Sequence, residues 1–313
     1  MDSVIYYNTL ACEVVMETIL SLFDFQKRFP SEEDCFTYLF TQRWPDGFRC
    51  PRCGNDTYYF IFQKKRFQCT KCRHQTTVTA GTVFHKLRQP LQKLFWAVYL
   101  IATSKKGFSA MELQRKLDIK TYRTAWLLMH KIRTAMASSD AFPLSQDVEV
   151  DETYIGGKKP GPRGRGAQGK SLVAVAVETD GTSMGRAYLD KLGSASMKDI
   201  ESFVTQHLSK GIKVTSDAFK SYAFLKTEYI HNPIVTSTQK HSDTVLPKVH
   251  IVVANLKMWL LGTYNRLPSK YLQKYLDEFE FRFNRRWNIQ NIFDKLLYRC
   301  LYTKTCTLAD LKA

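Results

Sequence analysis

No run of apolar residues in this chain approaches the ~20 that cross a bilayer, so no membrane-spanning helix and no membrane partner is expected. Acidic side chains are scarce, 29 Asp and Glu against 46 Lys and Arg, and the formal net charge is +17. The opening Met1-Asp2-Ser3 has no basic segment and acids interrupt the stretch that follows, so no secretory signal is read there. Internal repeats and long low-complexity tracts are missing as well. What is present excludes a disordered chain, since 44% of the residues are hydrophobic and 13% aromatic. A length of 313 residues allows two or more domains with a substantial core. The eight cysteines are then expected to meet a reducing cytosol, where paired cysteines hold metal rather than disulfides. The positive charge calls for an acidic partner, with nucleic acid as the default.

That charge is unevenly spread. Residues 1–49 carry net −4, residues 50–149 net +11 and residues 150–313 net +10. Residues 10–27 read as a helix. Ser31 followed by Glu32, Glu33 and Asp34 reads as a helix start, and Trp44 to Gly47 as its end. Residues 48–85 read as a small β unit, and Pro90 opens a further helix. The segment from Ser138 to Pro143 reads as a linker. Beyond it the pattern predicts strands around Val148–Ile155, Leu172–Val177, Gly185–Leu189 and Lys213–Ser216. Helices are expected over 195–208, from Pro247 to about Leu261, and over 268–286.

Two C-x₂-C knuckles, Cys50/Cys53 and Cys69/Cys72, have the spacing of a four-cysteine structural zinc site, one ion per chain. Tyr58–Phe62 and Arg66–Gln68 between them read as a hairpin turning at Lys64-Lys65. His74 and His85 lie nearby, but four thiolates suffice. Cys12, Cys35, Cys300 and Cys306 read as core thiols. Lys64, Lys65 and Arg66, interleaved with aromatic residues, suit contact with a nucleic-acid backbone, although a solvated rim is the blander reading of any one of them.

Residues 109–137 place a short helix, a turn and a longer helix in succession, the pattern of a helix-turn-helix. Lys120, Thr121, Arg123 and Thr124 open the second helix, where base contacts arise. Lys131 and Arg133 lie further along, and Trp126, Leu127 and Met129 are expected on its buried side. Asp151 falls within an alternating strand and Asp217 ends another. Each alone is a common turn former. Together in a basic protein they point to a two-metal site acting on phosphodiesters. The basic run holding Lys158, Lys159, Arg163 and Arg165 reads as a loop beside Asp151 that follows a DNA backbone, or as a solubilising hairpin turn.

Several stretches resemble one family in order and spacing. Val148-Glu-Val-Asp-Glu-Thr-Tyr-Ile-Gly-Gly-Lys158, the cysteine ribbon, Ala80-Gly-Thr-Val-Phe-His85 and Tyr275-Leu-Asp-Glu-Phe-Glu-Phe-Arg-Phe-Asn284 are similar to the zinc-ribbon DDE transposases of bacterial insertion sequences (the ISXO-two-like group), relatives of the eukaryotic Merlin elements. The likeness covers about residues 30–298.

The resemblance implies an α+β multidomain protein: an N-terminal helical segment (1–47), a zinc ribbon (48–88), a helix-turn-helix domain (89–142) and a ribonuclease-H-like α/β catalytic domain with C-terminal helices (143–313). It implies catalytic metal, two Mg²⁺ or Mn²⁺ ions, on Asp151 and Asp217. It places His250 at the third position, where the family usually has Glu, with Lys257 two helical turns further on and Asn255 as the alternative. Glu152, next to Asp151, would point to the other face of the strand as a solvated acid. The implied activity is cleavage at terminal inverted repeats and transfer of 3′-hydroxyl ends to target DNA. A homo-oligomer of at least two copies would do this in the cytoplasm, on the nucleoid. A regulator or relic with a decayed site, or a structure-specific nuclease on the same fold, stays open.

Overall fold

Helix starts in this chain are fixed by side-chain caps, some local and some from far away. A computed structural model describes residues 20–137, 142–157, 169–235, 245–264 and 267–312. Helix α1 (Leu22–Arg28) starts at Ser21, and the part of the expected first helix before residue 20 lies outside the described residues. Helix α2 (Glu32–Arg43) begins with a capping box between Ser31 and Asp34, as expected, and ends at Trp44. The next helix, α3 (Leu91–Thr103), follows Pro90. The Glu32 carboxylate accepts from the Leu91 and Gln92 amides, both at 3.0 Å. Ser109 caps α4 (Ala110–Lys116), and Thr121 caps α5 (Tyr122–Met136), so Lys120 precedes the second helix of the pair rather than opening it.

The knuckle region folds as an antiparallel sheet of β1 (Tyr58–Ile61), β2 (Arg66–Cys69) and β3 (Gln75–Thr76). The second sheet contains β4 (Asp147–Ile155), β5 (Ser171–Thr179), β6 (Met184–Leu192), β7 (Lys213–Asp217) and β8 (Ile230–Ile234), in the order β6-β5-β4-β7-β8. Strands β6, β5 and β4 run antiparallel, and β7 and β8 add in parallel to β4. Nearly all of β5 is buried because helices cover both sheet faces. Helix α6 (Met197–His207) packs on one face, with Val148, Val150 and Val214 beneath it. After the short α7 (Leu225–Glu228), α8 (Pro247–Thr263) and α9 (Leu272–Phe283) cover the other face over Val173, Val175 and Val177. Strand β8 was not expected from the sequence; it is short and carries Pro233, tolerated because it is an edge.

The opposite edge, β6, is closed by α9 and the residues that follow it. Gln273 accepts from Lys191 N (2.8 Å), Glu280 from Leu189 N (3.2 Å) and Asn284 from Ala187 N (2.8 Å), while Arg286 donates to Gly185 O (3.0 Å). Alternate backbone groups of an edge strand are thus bonded to side chains, which blocks pairing with another chain. Burial, aided by Asp277 and Asp190, pushes the Glu280 carboxyl well above the ordinary carboxylate range.

A third core gathers α1–α5, the ribbon and α10 (Ile292–Tyr302), a helix the sequence reading did not single out; the chain closes with α11 (Leu308–Lys312). Phe67 is the hub beneath the ribbon, with the rings of Phe36, Phe40, Trp44, Phe48, Tyr58 and Phe60 at 5.0–5.8 Å. Phe293 of α10 meets Phe25 at 5.3 Å and Phe29 at 5.6 Å. Cys35 and Cys300 are core thiols; Cys306 is only half-buried, which corrects its expected role, and Cys12 lies outside the described residues.

Two further expectations about α5 are corrected. Its buried face is Ala125, Leu128, Met129, Ile132, Ala135 and Met136, at helical spacing, whereas Trp126 and Leu127 are half-buried at its margins. Lys131 and Arg133 are not available to DNA. Lys131 donates to Val83 O at 2.7 Å, and Arg133 pairs with Glu278 of α9 at 2.7 Å inside the protein. Gly107 permits a second close contact between these parts: it has φ +82°, and a Cβ there would stand 2.7 Å from Trp259 Nε1 and Tyr264 Oη.

His130 is fully buried, and neither ring nitrogen has a hydrogen-bond partner. Burial, with Arg133 and Lys274 nearby, lowers its pKa to about 3. An unfolded chain protonates this imidazole near pH 6.5, so unfolding takes up a proton between these values. His130 therefore leaves stability undiminished above about pH 6.5, and stability falls as the pH drops toward 3, by up to about 1.4 kcal/mol per pH unit. Thermal unfolding of His130→Phe against pH is expected to lose most of this acid limb; an unchanged limb would refute it.

Candidate functional site

The knuckles are built alike. Gly54 N donates to Cys50 O (2.9 Å) and Arg73 N to Cys69 O (3.1 Å), with Gly54 at φ +74° and Arg73 at φ +61°. Each turn aims two thiols at the same point. The four sulfurs lie within 4.8 Å of one another, with Cys50–Cys72 and Cys53–Cys69 both at 3.6 Å. A tetrahedral ion with Zn–S bonds of ~2.3 Å needs sulfurs about 3.8 Å apart, so the set fits zinc, and four thiolates leave no position for substrate. His74 and His85 are not part of the cluster; His85 Nδ1 accepts from Gly81 N at 3.2 Å.

The second site is at the end of β4. Val148 is level with Val214 on the neighbouring parallel strand, and Asp151 and Asp217 each lie three residues further on. The pairing of the two strands ends at Glu149 and Thr215, so both carboxylates lie just past it, and both act on the Tyr222 hydroxyl. Strand alternation turns Asp151 to the face covered by α8, since its partner on β5 is Val175. From α8, Lys257 comes close enough to feel Asp151. Burial and Lys170 pull its pKa below the usual lysine value, and Asp151 opposes them. His250 is half-buried one turn from the start of α8 and, seven residues before Lys257, on the same side. Asn255 is exposed and about 140° round the helix from His250. Among the described residues only the four cysteines bring three or more donor atoms within 4.8 Å, so the side chains of Asp151, Asp217 and His250 are not drawn together to that extent.

Glu152 points to the other face, as expected, but it is not a solvated acid. One of its carboxylate oxygens is buried, and it faces Tyr222. Burial raises the Tyr222 hydroxyl well above its ordinary pKa, and Glu152, Asp151 and Asp217 add to the effect. The phenol therefore stays protonated behind the carboxylates.

Of the expected DNA contacts, Lys64, Lys65 and Arg66 are exposed around the ribbon hairpin, and Lys120 and Arg123 are exposed at the start of α5. Lys158, Lys159, Arg163 and Arg165 lie outside the described residues.

Residues 143–284 match the family model of the ISXO2-like transposase domain, and residues 30–75 match that of the transposase zinc-ribbon domain. The order is thus similar to that of a transposase zinc ribbon followed by an ISXO2-like transposase domain. It is 26% identical over 285 residues to an uncharacterized protein in transposable element ISH50 of Halobacterium salinarum, a match covering 82% of this chain and 92% of that one. Among solved structures, it is similar to the Mos1 strand transfer complex at 13% identity, with 67% of this chain and 79% of that chain covered and a TM-score of 0.29. A pre-cleavage Mos1 transpososome is similar at 11% identity, with 67% and 78% covered and a TM-score of 0.29.

The transposase domain contains a positioning residue that sequence reasoning missed. Glu149, two residues before Asp151 on the same face of β4, accepts from Lys248 N (2.8 Å) and Val249 N (3.1 Å) at the start of α8. Proline at 247 has no N–H to offer and His250 N already bonds Leu246 O at 3.0 Å, so this one carboxylate completes the helix end. A run of alternating Val and Glu gave no signal of it, because the partner amides are about a hundred residues away. Glu149→Ala is expected to destabilise the domain by roughly 1–3 kcal/mol in denaturant unfolding, and Glu149→Gln, which keeps an acceptor, by less. Equal losses would refute the cap. For the ribbon, metal analysis under reducing conditions is expected to find zinc that Cys50→Ser or Cys69→Ser loses together with ribbon folding, since such ligation supplies on the order of 10 kcal/mol. Zinc-free, fully folded protein would overturn it.

Proposed function

We propose that the protein is the transposase of an insertion sequence: it binds terminal inverted repeats, cleaves the DNA and transfers 3′-hydroxyl ends to target DNA. The observation that carries this reading is that Asp151 and Asp217 each follow the paired ends of adjacent parallel strands by the same number of residues, on the side of the helix bearing His250 and Lys257, inside a matched transposase domain. The relative in a transposable element supports it. Three antiparallel strands followed by two added in parallel support a ribonuclease-H-like catalytic domain, which we assign to 143–313. We assign 1–47 to a helical segment, 48–88 to the ribbon and 89–142 to the helix-turn-helix.

Divalent cations, Mg²⁺ or Mn²⁺, held by Asp151, Asp217 and His250 would supply Lewis-acid charge at the scissile phosphate. The chain's own groups prepare that place. Lys257, with Lys170 near it, brings positive charge beside Asp151, where phosphate oxygens gather negative charge during in-line displacement. Glu149 fixes the start of α8, and with it the level of His250 against β4. Buried Tyr222 closes the back of the carboxylate pair. Water is the attacking group in cleavage and the freed 3′-hydroxyl in joining. The ribbon cations and the start of α5 hold the ends, in at least two copies of the chain, on DNA in the cytoplasm.

A strand-transfer assay with the DNA flanking the gene tests this. The wild type is expected to cut and join. Asp151→Asn and Asp217→Asn are expected to bind ends nearly unchanged and to lose cutting and joining by at least about a hundredfold, the scale of removing one preorganised electrostatic group. Substantial joining by either refutes the assignment. Cutting without joining means a nuclease, and binding alone a regulator. His250→Glu is expected to move metal preference from Mn²⁺ toward Mg²⁺, because imidazole suits Mn²⁺ better than the harder Mg²⁺. Normal joining in Mg²⁺ by His250→Ala would move the third position to Asn255.

A further inference from the structure

A cleft of about 360 Å³ lies between the start of α5 and the segment entering α9. Tyr122 and Trp126, about one helical turn apart, form one wall. Tyr264, Tyr271 and Tyr275 form the other, with Arg133 also lining the cleft. Five aromatic rings in one place ordinarily close into a core. Here only part of the set does: Tyr275 is buried in the α8–α9 core with Tyr264 and Tyr271 against it, whereas Tyr122 is 51% exposed and Trp126 half-buried, its ring meeting Tyr271 edge to face at 5.2 Å. His130 backs Trp126 at 4.1 Å and is held neutral, so the wall behind the indole is rigid and uncharged.

Cationic residues neighbour these rings, one in space and two in the chain. Lys120 and Arg123 are exposed on either side of Tyr122 in the chain, and Lys270 Nζ stands 4.9 Å over the Tyr271 ring. Flat π surfaces inside and cations outside match one ligand chemistry, a nucleotide whose base enters and whose phosphates stay at the mouth. The volume suits a small ligand of that kind, since such pockets begin at about 300 Å³. A free phosphate would not use the rings, and an apolar peptide would not use the cations. We propose that this cleft takes one unstacked nucleobase of the bound DNA. It rests on the reading of the protein as DNA-binding and deepens it. An unpaired or extruded base stacks here, while the start of α5 holds the adjoining backbone.

The test uses the full-length protein and two probes, a blunt duplex and the same duplex with a short single-stranded overhang carrying 2-aminopurine. The wild type is expected to bind the overhang duplex more tightly and to quench the 2-aminopurine fluorescence. Tyr122→Ala and Trp126→Ala are expected to lose the quenching and to weaken overhang binding about tenfold, the scale of one lost base–ring stack, and to weaken blunt-duplex binding clearly less. Trp126→Phe, which keeps a ring, restores most of both. Removing the half-exposed Tyr122 ring keeps the test valid if Trp126→Ala lowers Tm. Equal wild-type binding of both probes without quenching overturns the cleft and leaves the DNA reading standing. Equal weakening on both probes also overturns it, because the rings then serve structure alone. No wild-type binding to either probe overturns the DNA reading, and the cleft with it.

Discussion

Arg133 and Glu278 meet 2.7 Å apart with side-chain exposures of 2% and 0%. Burial alone opposes the guanidinium charge; Glu278, Tyr275 and Tyr264 more than offset it and hold the Arg133 pKa above its ordinary value. The Tyr275 ring lies 3.9 Å from the guanidinium, and the other Glu278 oxygen accepts from Arg282 and Tyr264. Removing two charges from water nearly cancels their attraction, so such a pair adds little net stability. Losing one partner is expensive, at about 3–5 kcal/mol, so the pair acts as a register pin. It permits one alignment of α5 on α9. The aromatic cleft, the Tyr264–Phe108 contact and the return of the chain to the first core all follow from that alignment.

Much of this architecture was legible where local chemistry decides the outcome. The matched cysteine knuckles, the Ser31 cap and the strand pattern around Asp151 each sit within a few residues of their partners. Long-range pairing hid the rest. The sequence placed Lys131 and Arg133 on the second helix but not their partners, which are Val83 and Glu278 far along the chain. Trp126 and Leu127 read as core by hydrophobicity, yet the packing partner lies over Leu128 and Ile132. Helix α10 has a clear helical spacing of Ile292, Phe293, Leu296, Leu297, Cys300 and Leu301, a signal available in the sequence and overlooked beside the motifs. Tyr222 and Glu149 had no signal, because their roles come from which strand lies beside which helix.

The scarcity of acids takes on another meaning in the folded chain. Among the described residues the buried charged side chains are Glu149, Glu178, Asp277, Glu278 and Glu280 against Lys131 and Arg133. Acids are used inside as fasteners: Glu149 closes the start of α8 and Glu280 binds the β6 edge. Half-buried Glu32 does the same for α3. Among the described residues, the surface left to solvent is therefore more basic than the composition indicates.

Helix α10 completes a core whose other members are almost all drawn from the first 137 residues. A ribosome makes that helix long after them. Until residues beyond 290 have left the exit tunnel, Phe25, Phe29 and Phe95 lack the Phe293 ring that covers them. The nascent chain thus holds an unfinished first core until then, and a product cut short before α10 by a frameshift or premature stop keeps it unfinished. In this fold a segment translated late decides when the first core closes.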